Sequence, residues 1–169
     1  MRNKVRSRVG VVAGGLAATV VLVGCSTGNA ENQAAPQAPS PQAPSPQDIA
    51  KQFDTWNAAL ATGDPNKVAD LYAPDAVLLP TVSNNVRTSR AEIVDYFQTF
   101  LQSKPVGTID EQVIKVIDPD TAVNTGVYHF DLTKDGKQQR VDARYTYVYE
   151  LVNGKWLILN HHSSAMPEG

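Results

Sequence analysis

Three tight-turn signals, Asp118-Pro119-Asp120, Lys134-Asp135-Gly136-Lys137 and Asn153-Gly154, cut the last third of this chain into four long segments rich in Val, Ile, Thr and Tyr. Asp-Gly and Asn-Gly supply the positive φ angles that short hairpin loops require, and the segments between them have strand length and strand composition. Strands are expected at about 108–117, 121–131, 138–150 and 155–164. Long strands joined by tight turns pair as an antiparallel meander, which must bury one face against another layer.

The covering layer lies upstream. Asp48 is a candidate N-cap for a helix with apolar positions Ile49, Phe53, Trp56, Ala59 and Leu60 at helical spacing and Gly63 as its stop. Asp64-Pro65 reads as the cap and first position of a second, short helix carrying Val68, Leu71 and Tyr72. A short strand, Ala76–Leu79, ends at Pro80, and Thr81–Thr88 is irregular. Ser89, with Glu92 three residues on, opens a third helix through Ile93, Tyr96, Phe97, Phe100 and Leu101. The expected fold class is α+β: three N-terminal helices packed on one face of a curved antiparallel sheet, in a domain spanning 48–169.

Residues 1–24 are of a different kind. Arg2, Lys4, Arg6 and Arg8 precede an apolar stretch, Val11–Val23, shorter than a bilayer span, which is the layout of an export signal. From Cys25 onward, eleven basic residues face seventeen acidic ones. That balance speaks against nucleic acid as a partner. The single Cys excludes an internal disulfide and a multi-cysteine zinc site. Ser26–Gln47 is polar, with Pro36, Pro39, Pro41, Pro44 and Pro46, so residues 25–47 are expected to be a tether able to reach on the order of 70 Å.

The junction Leu22-Val23-Gly24-Cys25 resembles a bacterial lipobox. That resemblance implies lipidation of Cys25 and cleavage before it, with the domain anchored to the cell membrane and facing away from the cytoplasm. Two or three acyl chains anchor stably where one is marginal.

In the domain, the Trp-bearing first helix, the segment Leu71-Tyr72-Ala73-Pro74-Asp75-Ala76 and the closing Gly154-Lys155-Trp156-Leu157-Ile158 resemble the nuclear-transport-factor-2-like superfamily, cone-shaped α+β domains with an apolar pocket between helices and sheet. Within it, Leu78–Asn84, Ala143–Tyr149 and His161–Pro167 are similar to bacterial relatives of the calcium/calmodulin-dependent protein kinase II association domain. The resemblance implies self-association through the outer face of the sheet. Kinase activity and calmodulin binding are not implied, because the chain has neither a Gly-rich phosphate loop nor a basic amphipathic helix.

Alternation along 138–150 places Val141, Ala143, Tyr145, Tyr147 and Tyr149 toward the helices and Arg144 outward. In the last strand Leu157 and Leu159 share one face and Trp156 and Ile158 the other. Arg144, Trp156 and Ile158 are therefore expected at a homo-oligomer interface. The family's arginine-lined carboxylate pocket aligns with Tyr128, Tyr147 and Ser163 here, so the cationic lining is missing. The pocket residues expected instead are Tyr128, Tyr147, His161 and Ser163, with Arg87 as the nearby cation, around a neutral or partly polar small molecule.

Superfamily relatives such as ketosteroid isomerase and scytalone dehydratase place a base and a phenol donor in this pocket. On that alternative His161 is the base and Tyr128 or Tyr147 the donor. The balance of the residues favours a binding module over an enzyme, with no cofactor expected. No metal site is expected either, because His161 and His162 are strand neighbours that point to opposite faces and His129 faces away from Tyr128.

Overall fold

The computed structural model describes residues 43–81 and 83–167. Cys25, the expected export signal and most of the expected tether lie outside the described residues.

Helix α1 (Pro46–Ala61) begins earlier than expected. Its N-cap is Ser45, whose hydroxyl accepts from the Asp48 N–H, while the Asp48 carboxylate accepts from the Ser45 N–H. Asp48 thus closes a capping box from the third helical position and is not itself the cap, and Pro46 occupies the first turn, where its missing N–H costs nothing. The helix stops at Thr62, and Gly63 takes φ +70°. Helix α2 (Pro65–Ala69) is capped by the Asp64 carboxylate, which accepts from the Asn66 N–H. It is shorter than its apolar spacing suggested, because Leu71 lies in the turn that follows it and Tyr72 begins a strand.

That strand, β1 (Tyr72–Leu79), pairs in parallel with the last strand of the chain. The meander expectation covers the other pairings but not this one. Pro74 sits where the β1 register is interrupted, between Tyr72 and Val77, as a residue without an N–H to donate must. Helix α3 (Arg90–Phe100) carries a second capping box, Ser89 with Glu92. The chain then runs through β2 (Val106–Asp118), β3 (Thr121–Lys134), β4 (Lys137–Val152) and β5 (Lys155–Ala165) in an open sheet of order β1-β5-β4-β3-β2. The hairpin turns use positive φ at Asp135, Gly136, Asn153 and Gly154.

The helices cover one face of the sheet. Ile49, Phe53, Trp56 and Leu60 of α1 and Ile93 and Phe97 of α3 are buried against Tyr128, Tyr145, Tyr147 and Tyr149. Fully burying each of these large side chains is worth roughly 1.5–3 kcal/mol.

Two irregularities decide which residues face the core. Between Ile109 and Glu111, β2 carries a bulge opposite Tyr128 and Val127; at the next β3 residue, Gly126, a Cβ would stand 1.9 Å from the Glu111 carbonyl oxygen, so only glycine fits. In β5, Ile158 pairs with Tyr149 and Asn160 with Val148, leaving Leu159 as an extra residue. This bulge reverses the alternation. Ile158, expected on the outer face, is buried in the core, and it cannot belong to an interface on that face. Trp156 is half-buried and packs against the core cluster. Arg144 alone of the three expected interface residues is exposed on the outer face, opposite Val127 and Ser164.

Candidate functional site

Strands β3, β4 and β5 bring Tyr128, Tyr147, His161 and Ser163 together on the inner face. His161 pairs with Tyr147 and Ser163 with Tyr145 in adjoining register positions. Helix α1 adds Trp56, and the start of β1 adds Tyr72. The result is a continuous chain of hydrogen bonds through the core.

The direction of that chain follows from its end. The Trp56 indole N–H can only donate, and it does so to the Tyr72 hydroxyl oxygen at 3.2 Å. The buried Tyr72 O–H then finds its acceptor in His161 Nδ1, at 2.9 Å. The imidazole therefore carries its proton on Nε2, which faces the Tyr128 hydroxyl at 3.4 Å. Tyr128 donates to Ser163 Oγ at 2.6 Å, and Ser163 shares a hydrogen bond with the Thr81 hydroxyl.

Burial sets the electrostatics. Desolvation holds the His161 imidazole down to about 3, so the ring is neutral at any ordinary pH. Desolvation also raises Tyr72, Tyr128 and Tyr147 far above the usual phenol range, which keeps all three neutral. With Nδ1 already accepting from Tyr72, His161 offers no free lone pair to a substrate. The geometry makes it a link in a structural relay, not a poised general base.

The relay ends at a narrow interior cavity of ≈ 20 Å³. Ser163, Thr81, His161 and Tyr128 form its polar side, and Phe97, Phe100 and Leu132 are among its apolar walls. That volume holds about one water molecule. Tyr147, expected to meet a ligand, does not line the cavity: its ring lies against His161 and its hydroxyl is buried without a protein partner. Arg87 is also displaced from its expected role. It is anchored by mutual backbone hydrogen bonds with Leu78 and pairs with Asp95 at 3.0 Å, lining a separate depression with Ser83 and Thr99. Tyr96 stands between the two spaces and borders both.

Thr81, Tyr72 and Trp56 are the members that sequence reasoning did not nominate, Trp56 reading only as a core position of the first helix. Thr81 follows Pro80 in a stretch without periodicity, and Tyr72 read as a helical core position. The Trp56–Tyr72 contact depends on β1 joining β5, a pairing that no local pattern announces.

The outer face has its own features. Val113 and Ile117 on β2 are 54% and 62% exposed. Beside Val113, whose ladder partner is Thr125, an open depression of ≈ 480 Å³ is lined by Thr125, Val127, Arg144, Thr146 and His162 among others. Toward one end of the sheet His129, which is buried, meets Asp110 and Asp142 on the neighbouring strands. Its Nδ1 lies 2.8 Å from Asp110 Oδ2, and Arg140 pairs with Asp142 at 2.8 Å and with Asp110 at 3.7 Å. The expectation of no metal site weighed His161, His162 and His129 and did not consider this grouping, to which Asp110 comes from the unpaired position of the β2 bulge.

Among the described residues no helix is long and apolar enough to cross a membrane.

Comparison with known proteins places these features. The family model of the calcium/calmodulin dependent protein kinase II association domain matches residues 45–167. A Xanthomonas campestris protein described as such an association domain is 59% identical in sequence, with a TM-score of 0.73, covering 78% of this chain and 95% of its own. A nuclear transport factor 2-like superfamily protein from Salmonella enterica shares the fold at 20% identity and a TM-score of 0.63, over 72% of this chain and 91% of its own. The hub homology domain from Chlamydamonas reinhardtii does so at 15% identity and a TM-score of 0.59, over 72% of this chain and 98% of its own. No curated protein matches the chain.

Proposed function

Because the chain belongs to the calcium/calmodulin-dependent protein kinase II association domain family, we propose that it works as a self-associating module, exported and held to the membrane by lipid on Cys25 at the end of a proline-rich tether. One observation carries the self-association: helices cover the inner face of the sheet, while β2 leaves Val113, next to the depression that contains Arg144, and Ile117, further along the strand, more than half exposed. Apolar side chains of this size on an open sheet face mark a surface that another protein covers. The anchor is supported by the lipobox-like Leu22-Val23-Gly24-Cys25 after a basic and then apolar leader.

Small-molecule binding is the second component. The hydroxyls of Ser163 and Thr81 against apolar walls suit a small neutral ligand with one hydrogen-bonding group, and a ligand larger than water requires Tyr96 or Phe100 to swing outward. Proton-transfer catalysis in the manner of ketosteroid isomerase is the weaker reading, since His161 is already engaged on its lone pair.

Solution mass tests the assembly. The chain should be a dimer or larger at micromolar concentration, and Val113→Asp with Ile117→Asp should reduce it to a folded monomer; a wild-type monomer overturns the reading. For the anchor, Cys25→Ser should release the protein from membranes, and a variant that still partitions with them refutes lipidation.

A further inference from the structure

We propose that Asp110, His129 and Asp142 form a divalent transition-metal site on the outer face of the sheet, with Arg140 as the internal cation that the metal displaces. This is separate from the interior cavity and does not depend on self-association.

The three residues come from three adjacent strands. His129 and Asp142 are directly opposed in the β3–β4 ladder, and the β2 bulge brings Asp110 in from the other side. One ligand atom from each lies within 4.8 Å of the others. Zinc bonds of about 2.0–2.2 Å to imidazole nitrogen and carboxylate oxygen separate tetrahedral ligand atoms by roughly 3.4 Å. The 2.8 Å contact between His129 Nδ1 and Asp110 therefore has to open by only about half an ångström. His129 is well buried, so its ring is held in place, whereas the carboxylates of Asp110 and Asp142 are partly exposed and can adjust.

Charge and ligand type agree. One nitrogen and two carboxylate oxygens suit zinc and its neighbours better than magnesium or calcium, which prefer all-oxygen shells. Three protein ligands leave a fourth position open to water or to a group from outside. Asp131 lies opposite Arg140 in the ladder, so a third carboxylate stands in the same field. Arg140 is half-exposed and is the group that now offsets these charges. On binding, the metal takes the Nδ1 lone pair, the ring proton resides on Nε2, and the Arg140 guanidinium turns out to solvent. No electron transfer is involved.

This arrangement makes a prediction that a chance cluster does not share, because removing Arg140 takes away a competitor. The probe is zinc alone, titrated calorimetrically into the full chain carrying Cys25→Ser, without a histidine tag, so that no other strong zinc ligand is added. The expected result is one zinc per chain, weakened by roughly 10- to 100-fold or more in His129→Gln and in Asp142→Asn, and tightened at least about tenfold in Arg140→Gln. Cobalt in place of zinc should give visible absorption that disappears in the same two weakened variants. Asp142 is exposed, so its variant keeps the test valid if His129→Gln does not fold. The proposal is overturned if neither the parent nor Arg140→Gln binds zinc up to about 1 mM, or if His129→Gln and Asp142→Asn bind as the parent does.

Discussion

His161 lies flat against Tyr147, with ring centroids 4.1 Å apart and planes inclined by 25°. The indole of Trp56 meets the imidazole edge-on from above, at 5.4 Å and 88°. Two aromatic neighbours fix the ring, and the phenols of Tyr72 and Tyr128 take its two nitrogens. An imidazole enclosed in this way is a neutral strut of the core.

Its titration should therefore appear in stability. The folded-state pKa of His161 is depressed to about 3, whereas the unfolded chain takes up the proton near pH 6.5. Between these values the unfolded state binds one more proton, so the contribution is fully present above about pH 6.5 and is lost as pH falls toward 3, at up to about 1.4 kcal/mol per pH unit. Urea unfolding of the wild type and His161→Gln at pH 4, 5 and 6 checks this. The slope of unfolding free energy against pH should be smaller in the variant by close to one proton; equal slopes would show that His161 is not held neutral.

Two phenols that look equivalent in sequence should respond oppositely to loss of the hydroxyl. Tyr128 donates to Ser163 and faces His161, so Tyr128→Phe strands partners in the core and should cost about 1–2 kcal/mol. The Tyr147 hydroxyl is buried with no protein partner, so Tyr147→Phe removes an uncompensated polar group and should be neutral or stabilising by up to about 1 kcal/mol. Denaturant midpoints of the two variants decide it, and a loss of equal size in both would contradict the assigned network.

The residues that betrayed the fold are those whose effect is local. Asp135-Gly136 and Asn153-Gly154 adopt the positive φ angles their types permit, and Ser89 with Glu92 closes its capping box, because each depends on neighbours within four positions. Ile158 shows the limit. A strict alternation puts it outside, but the extra residue at Leu159 turns it into the core, and a bulge of this kind leaves no mark in residue type. The site was legible to the same depth. Tyr128, His161 and Ser163 follow from strand parity, but Tyr72 and Thr81 arrive through the parallel β1–β5 pairing and the turn after it, and Arg87 is drawn away by Asp95.

The start of the folded region can be tested by truncation. Ser45 caps α1 and Asp48 closes the box behind it, so a chain beginning at Asp48 loses both bonds and exposes the first helical N–H groups. Relative to one beginning at Ala43, it should be less stable by about 1 kcal/mol, and Ser45→Ala in the longer chain should reproduce most of that loss. Thermal unfolding of the three proteins measures it. Equal stability would place the effective cap at Asp48 after all.

Gly126 and Gly107 separate backbone collision from side-chain crowding. At Gly126 a methyl group would meet the Glu111 carbonyl at 1.9 Å, an obstacle fixed by the β2–β3 ladder on either side of the bulge. At Gly107 the nearest atoms are ring carbons of Phe130 and Phe53 at 3.1 Å, which can yield by a few tenths of an ångström. Gly126→Ala should therefore cost on the order of 3 kcal/mol or more, through lost β2 pairing, and Gly107→Ala about 1 kcal/mol. Because the same bulge carries Asp110 toward His129, Gly126→Ala should also disturb that cluster, whereas Gly107→Ala should leave it intact. Amide exchange along β2, compared between the two variants, distinguishes these outcomes: protection lost around Glu111 in Gly126→Ala alone is the expected result, and protection retained there would mean that the bulge absorbs the methyl group.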